Sequence, residues 1–199
     1  MFKKYWKFFV IFWSVVLVGI IGVFVFFWLI SAGKLGFMPT FEELENPNNR
    51  FASEVYFADG PIMNRYFEKE NRKYIEYREI PQSVIDALIA TEDVRFYDHS
   101  GVDVRGLFRV AKGLLTANTS AGGGSTISQQ LAKMLFPRES DLNVFELAIR
   151  KFREWVIAVR LEKSYTKEEI LTMYLNKYDF LNLAVGISSA ADIYFQVPL

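Results

Sequence analysis

Residues 91–101 read TEDVRFYDHSG, with two adjacent carboxylates, Glu92 and Asp93, a few positions ahead of His99, the only histidine in the chain. Carboxylates near an imidazole suit proton transfer or metal ligation. They equally suit two solvated acids and a histidine closing a turn. Acids at the end of an apolar helix oppose its dipole, at a cost of a few tenths of a kcal/mol up to about 1 kcal/mol. A sequence built only for stability would tend to avoid that placement.

Two further stretches carry chemistry-bearing side chains. GGGSTISQQ, residues 122–130, is a glycine-rich turn into a helix that begins at Ser125 and Thr126. Free N–H groups and the helix dipole make such a turn an anion site, although serine and threonine are also ordinary N-caps. It lacks the Gly-Lys of a nucleotide-binding P-loop. Gln129 and Gln130 offer amides that suit sugar hydroxyls or water, and Lys133 follows one turn later. In IRKFREWVIAVRLE, residues 149–162, Arg150 and Lys151 lie four and three residues before Glu154, and Glu146 extends the row. By itself that row is an ion-pair ladder on a wet helix face, about 0.2–0.5 kcal/mol per pair.

The elements that must position these groups are mostly helical. From Pro81 onward apolar residues recur at helical spacing: Val84, Ile85, Leu88 and Ile89; then Val104, Leu107, Phe108, Ala111, Leu114 and Leu115; then Ile127, Leu131, Met134 and Leu135. The longest helix is expected to turn Phe145, Ala148, Ile149, Phe152, Trp155, Val156 and Val159 inward, and Thr166 with Glu169 predicts a capping box. The apolar face of residues 108–115 suits either core or a membrane surface. Residues 51–80 have the alternation of a small β region, with a hairpin turn at Asp59-Gly60 and a third strand near 72–80. Residues 31–50 read as a juxtamembrane linker.

Residues 8–30 contain neither charge nor proline. A helix of that length covers ~34 Å, enough for a hydrocarbon core of about 30 Å. Lys3, Lys4 and Lys7 precede it and Lys34 alone follows closely, which places residues 1–7 in the cytoplasm and the rest outside. The run is longer than the apolar region of a cleaved signal peptide. With 23 basic and 23 acidic residues the chain has no net charge, which argues against nucleic acid as a partner, and without cysteine it has no disulfides.

Taken in order, the three stretches resemble the peptidoglycan glycosyltransferase family (family 51 transglycosylases). EDVRFYDHSG is similar to its first motif, E-D-x-x-F-x-x-H-x-G; GGSTISQQLAK to its second; RKFREWVIA to its third; KEEILTMYLN to its fourth; and AADIYF to the start of its fifth. Met134, Leu183, Asp192 and Gln196 depart from the family's usual residues. The resemblance implies a mainly α, lysozyme-like two-lobed domain over residues 81–199, with its C-terminal end incomplete, a small β region before it and one transmembrane helix ahead of both.

The resemblance further implies polymerisation of lipid II onto a growing glycan strand at a bacterial cytoplasmic membrane, with cell-wall synthesis proteins as further partners. Glu92 would be the general base, partly desolvated at the end of an apolar helix. A glycosidase must protonate a sugar oxygen, whereas a diphosphate leaves as a stable anion and needs charge neutralisation. Lys133, Arg138, Arg150 and Lys151 suit that role, with Ser125 and Thr126 as further donors. Glu154 would orient those cations, position the diphosphate or help hold a magnesium-like ion, and the metal ligands stay unassigned. Asp93 and Phe96 are expected to shape the acceptor side, and His99, Gly101, Gly123 and Gly124 to support the site. A lysozyme-like hydrolase and an inactive membrane-anchored scaffold are the competing readings.

Overall fold

The structure is a computed structural model that describes residues 2–40, 43, 53–56, 62–66, 74–116, 123–136 and 142–199. Seven α-helices account for most of them: α1 (Phe2–Ser31), α2 (Gln82–Glu92), α3 (Val104–Leu115), α4 (Ile127–Leu135), α5 (Val144–Ser164), α6 (Lys167–Lys177) and α7 (Ile187–Ala190). The molecule is mainly α, as expected. Two short strands, β1 (Ser53–Tyr56) and β2 (Ile62–Tyr66), pair antiparallel with an irregularity at Val55/Tyr56. The turn at Asp59-Gly60 lies outside the described residues. The expected third strand is absent among residues 74–80, where Tyr77–Glu79 form a 3-10 turn instead. There Glu79 accepts a hydrogen bond from the Glu76 N–H at 2.8 Å, and this local cap competes with strand pairing.

The chain divides into two compact units, and the division falls inside α5: residues 1–38 with 142–156, and residues 39–141 with 157–199. In the first unit α1 is long and apolar enough to cross a membrane from Tyr5 to Ser31. Its C-terminal end packs on the first part of α5, with Phe26 and Phe27 edge-on to Phe152 at ring-centroid distances of 5.3 and 5.7 Å. Edge-to-face pairs of this kind add about 0.5–1.5 kcal/mol beyond area burial.

In the second unit the core is built from Ile85 of α2, Ile127 and Leu131 of α4, Leu161 of α5, and Ile170 and Leu171 of α6, with Phe96 fully buried in the turn after α2. Thr166 caps α6: its side chain accepts from the Glu169 N–H, and the Glu169 carboxylate accepts from the Thr166 N–H at 2.7 Å. The inward face of α5 differs from the expected one. Arg153, Glu154, Ile157, Ala158 and Leu161 are buried, whereas Phe145 is 71% exposed. Phe152, Trp155, Val156 and Val159 are half-buried, so the covered stripe takes in part of the expected apolar face and extends beyond it to charged side chains. On α3 the residues expected to pack include Phe108, 73% exposed, and Leu115, 89% exposed; of the two readings of that face, ordinary core does not hold for these residues.

Candidate active site

Glu92 and Asp93 are neighbours in sequence and part company at the end of α2. Glu92 is the last helical residue; Asp93 leaves the helix with φ −157° and ψ 74°. That change of backbone direction swings the Asp93 carboxylate into the protein, where it is 7% exposed, and leaves Glu92 exposed. The expected partial desolvation of Glu92 is therefore not found.

Asp93 is largely buried and hydrogen-bonded, at the wall of the cleft that Glu92 also lines. Its carboxylate lies 3.0 and 3.2 Å from His99 Nε2 and accepts the Ile127 N–H at 3.1 Å. Ile127 is the first residue of α4, and its N–H is one of the donors a helix leaves unsatisfied at its start. Thr126, the N-cap, accepts the Gln129 N–H at 3.2 Å. One N–H of the expected anion site at this glycine-rich turn is thus taken by the protein's own carboxylate, where the dipole favours it, while Gly123, Gly124 and Ser125 remain on the cleft. Thr126 donates its hydroxyl proton to the Gly101 carbonyl at 2.7 Å, and the Gln129 amide donates to the same oxygen at 3.2 Å. Thr126 and Gln129 are 2% and 0% exposed; Gln129 is turned into the protein, whereas Thr126 also borders the cleft that Glu92 lines. Gln129 and Gln130 are about 100° apart around the helix, and one of them had to face inward.

Gly101 takes φ +92°, and a Cβ there would sit 2.7 Å from the Ala158 carbonyl carbon. Only glycine allows the turn to lie against α5 this closely. His99 is fixed to Asp93 rather than to Glu92, and its carbonyl accepts from Lys167 Nζ at 2.7 Å. That ammonium also meets Glu162 at 2.8 Å and stands 4.2 Å over the Phe96 ring. Phe96, expected on the acceptor side, has 0% exposure and anchors the turn from within.

Glu92 has a different set of partners. Its Oε2 accepts from the Gln130 amide at 2.7 Å, and Gln130 Oε1 accepts from the Tyr174 hydroxyl at 3.0 Å. Burial, followed by the negative charge of Glu92, raises the Tyr174 pKa, which keeps the hydroxyl a donor. Glu92 lines a polar cleft of about 440 Å³ together with Arg95, Arg109, Gly123, Gly124, Ser125 and Gln130. Gly124 comes close to α3, since a Cβ there would lie 3.2 Å from Val110 Cγ2.

Reading the sequence missed Arg95, Arg109 and Tyr174. Arg95 pairs with Asp103 and holds that carboxyl below its usual range, helped by the Gly106 N–H. Arg109 donates to the Gly123 carbonyl at 3.3 Å. The available signal was spacing: Arg95 follows Glu92 by three residues, and Arg105 and Arg109 are one turn apart. Lys133 is half-buried on α4, one turn beyond Gln130. Arg138 lies outside the described residues.

The third motif falls on the first part of α5. There Lys151 Nζ meets Glu154 Oε2 at 2.9 Å, with Glu154 7% exposed and Arg150 half-buried beside them. Among the described residues no group of three or more His, Asp or Glu side chains is arranged to hold a metal ion.

A family model described as Transglycosylase matches residues 59–199. The chain belongs to the transglycosylase family. The match contains Glu92, the glycine-rich turn, the α5 cations and Tyr174. Penicillin-binding protein 1A of Escherichia coli (strain K12) is 39% identical over 158 residues, which are 79% of this chain and 18% of that protein. Penicillin-binding protein 1A of Pseudomonas aeruginosa is 38% identical over 162 residues, 81% of this chain and 19% of that one. The Neisseria gonorrhoeae protein of the same name is 35% identical over 159 residues, 80% and 19% respectively. The chain thus spans about a fifth of the length of these curated relatives.

Proposed function

We propose that this chain is a membrane-anchored peptidoglycan glycosyltransferase that polymerises lipid II, with Glu92 as general base. The observation that carries the reading is the position of Glu92: an exposed carboxylate on the edge of a polar cleft, with one oxygen held by Gln130 at 2.7 Å. Family membership supports the reaction class.

The acceptor's 4-hydroxyl gives its proton to Glu92 as its oxygen bonds to the anomeric carbon of the growing strand. The bond from that carbon to the diphosphate breaks, and its electron pair leaves with undecaprenyl diphosphate. Attack opposite an α-linked leaving group gives a β-1,4 bond with inversion. A positioned base contributes about 10²–10⁴-fold to such a step. Lys133, Arg138, Arg150 and Lys151 neutralise the departing diphosphate, Ser125 donates to it, and Glu154 keeps Lys151 in place. The roles of the α5 residues rest on the third motif and its order in the sequence.

The anchor reading rests on α1, whose span Tyr5–Ser31 is long and apolar enough to cross a membrane. The charge bias puts residues 1–7 in the cytoplasm and the catalytic domain outside. A tethered enzyme meets its lipid-linked substrates at high effective concentration. The test is polymerisation of purified lipid II by the full chain in detergent or vesicles. Wild type should give glycan polymer, and Glu92→Gln should lower the rate by about 10²-fold or more. Polymerisation at the wild-type rate by Glu92→Gln would remove the base assignment. Release of soluble fragments from finished wall, without polymer from lipid II, would favour a hydrolase.

A further inference from the structure

The partners of Glu92 form a directed line that the proton-transfer step does not by itself require. A carboxylate can only accept hydrogen bonds, so Gln130 must turn its NH₂ toward Glu92. That choice points Gln130 Oε1 the other way, where it needs a donor. The Tyr174 hydroxyl is that donor, at 3.0 Å. The line therefore has one consistent direction: Tyr174 O–H to Gln130 Oε1, and Gln130 Nε2–H to Glu92 Oε2. Reversing the amide would set its oxygen against the carboxylate, so the carboxylate fixes the direction and the Tyr174 hydroxyl completes it.

Tyr174 is well placed to impose this order. It is 2% exposed. Its ring stacks on Tyr178 at 5.4 Å, and neighbouring Ile170, Leu171 and Leu175 of α6 are buried with it. Glu92, by contrast, is an exposed side chain with several rotatable bonds, which would sample many rotamers unless held. Gln130 is the intermediate that passes the rigidity of α6 out to the cleft.

We propose that Tyr174 is a positioning residue for the transfer reaction: acting through Gln130, it fixes one oxygen of the Glu92 carboxylate and leaves the other directed to the acceptor hydroxyl. The inference rests on the reading of Glu92 as the base. It gives the fourth motif a role in proton transfer as well as in packing. The effect falls on the chemical step and leaves substrate affinity unchanged, because Tyr174 itself does not line the cleft.

The experiment compares Tyr174→Phe, Gln130→Leu and the double variant, each as full chain, by steady-state polymerisation of lipid II. Tyr174→Phe keeps the ring and its packing and removes one hydrogen bond, so kcat should fall about five- to tenfold with KM unchanged. The double variant should be no slower than Gln130→Leu alone, since Tyr174 has no route to Glu92 once the amide is gone. Unfolding midpoints of the single variants separate positioning from folding. A wild-type kcat for Tyr174→Phe would overturn the inference, as would a further five- to tenfold loss in the Gln130→Leu background. Glu92→Gln, run in parallel, tests the underlying reading: if it polymerises normally, the base assignment fails, whatever Tyr174 does.

Discussion

Two turns in the second unit solve the same geometric problem in opposite ways. The turn after α2, residues 93–103, reverses the chain with a single positive φ, at Gly101. It directs Asp93, Phe96 and His99 inward and binds to α4, α5 and α6. The turn after α6, residues 178–186, places three consecutive non-glycine residues in the left-handed region: Leu181 at φ 70°, Asn182 at 49° and Leu183 at 67°. Leu181 and Leu183 are 69% and 61% exposed. This second turn is closed by backbone bonds from Phe180 to Ala184 and from Gly186 to Tyr178, both 2.9 Å. Asp179 accepts the Leu181 N–H at 2.8 Å, and the Tyr194 hydroxyl donates to the Phe180 carbonyl at 2.7 Å. The first turn is determined by its side chains and carries little strain. The second is held by backbone pairing with side-chain bonds from Asp179 and Tyr194, and carries about 1–2 kcal/mol at each of its two left-handed leucines. The turn that follows the candidate base is the unstrained one.

The comparison breaks most easily at Gly101. Alanine there would combine a left-handed φ of +92° with a Cβ 2.7 Å from the Ala158 carbonyl carbon, which is backbone and cannot swing aside. Gly101→Ala should destabilise the protein by about 3 kcal/mol, from strain and overpacking together. Urea unfolding of the full chain in detergent measures this. A loss below about 1 kcal/mol would mean that the turn can lift off α5 and is no more determined than its counterpart.

Asp93 tests the polar half of the same turn. Asp93→Ala removes the acceptor for His99 and for the Ile127 N–H, both in a buried setting. Leaving such donors unsatisfied should cost about 2 kcal/mol. The same melt reads it, and an unchanged midpoint would show that water replaces the carboxylate.

These two residues also mark what the sequence made legible. The helices from Pro81 onward, the capping box at Thr166 and the importance of residues 91–101 follow from periodicity and local hydrogen-bond chemistry, which are short-range properties. The partners of Asp93 are not short-range: Ile127 is 34 positions away. A glycine-rich helix start reads as a place for a ligand's anion, and only the fold shows that a distant carboxylate takes one of its N–H groups. Tyr174 escaped notice for the same reason, since its contact with Gln130 spans 44 positions. The full width of the buried face of α5 was hidden because it includes Arg153 and Glu154, and an apolar-only pattern cannot detect buried charge.

The smallest expected effect has the opposite sign and lies in the second turn. Leu181 is 69% exposed, so its removal sacrifices little burial, and its N–H bond to Asp179 survives any side-chain change. Leu181→Gly relieves a left-handed penalty of about 1–2 kcal/mol and adds about 0.5–1 kcal/mol of backbone entropy to the unfolded chain. The balance is a stabilisation of up to about 1 kcal/mol, read as a higher urea midpoint. Destabilisation would mean that Leu181 makes contacts worth more than its strain, and the second turn would then be held by side chains as the first is. Stabilisation with unchanged polymerisation would show that the strain is incidental to catalysis. Stabilisation with slower polymerisation would place the strained leucine in the working machinery, where a less stable turn is retained for what it does.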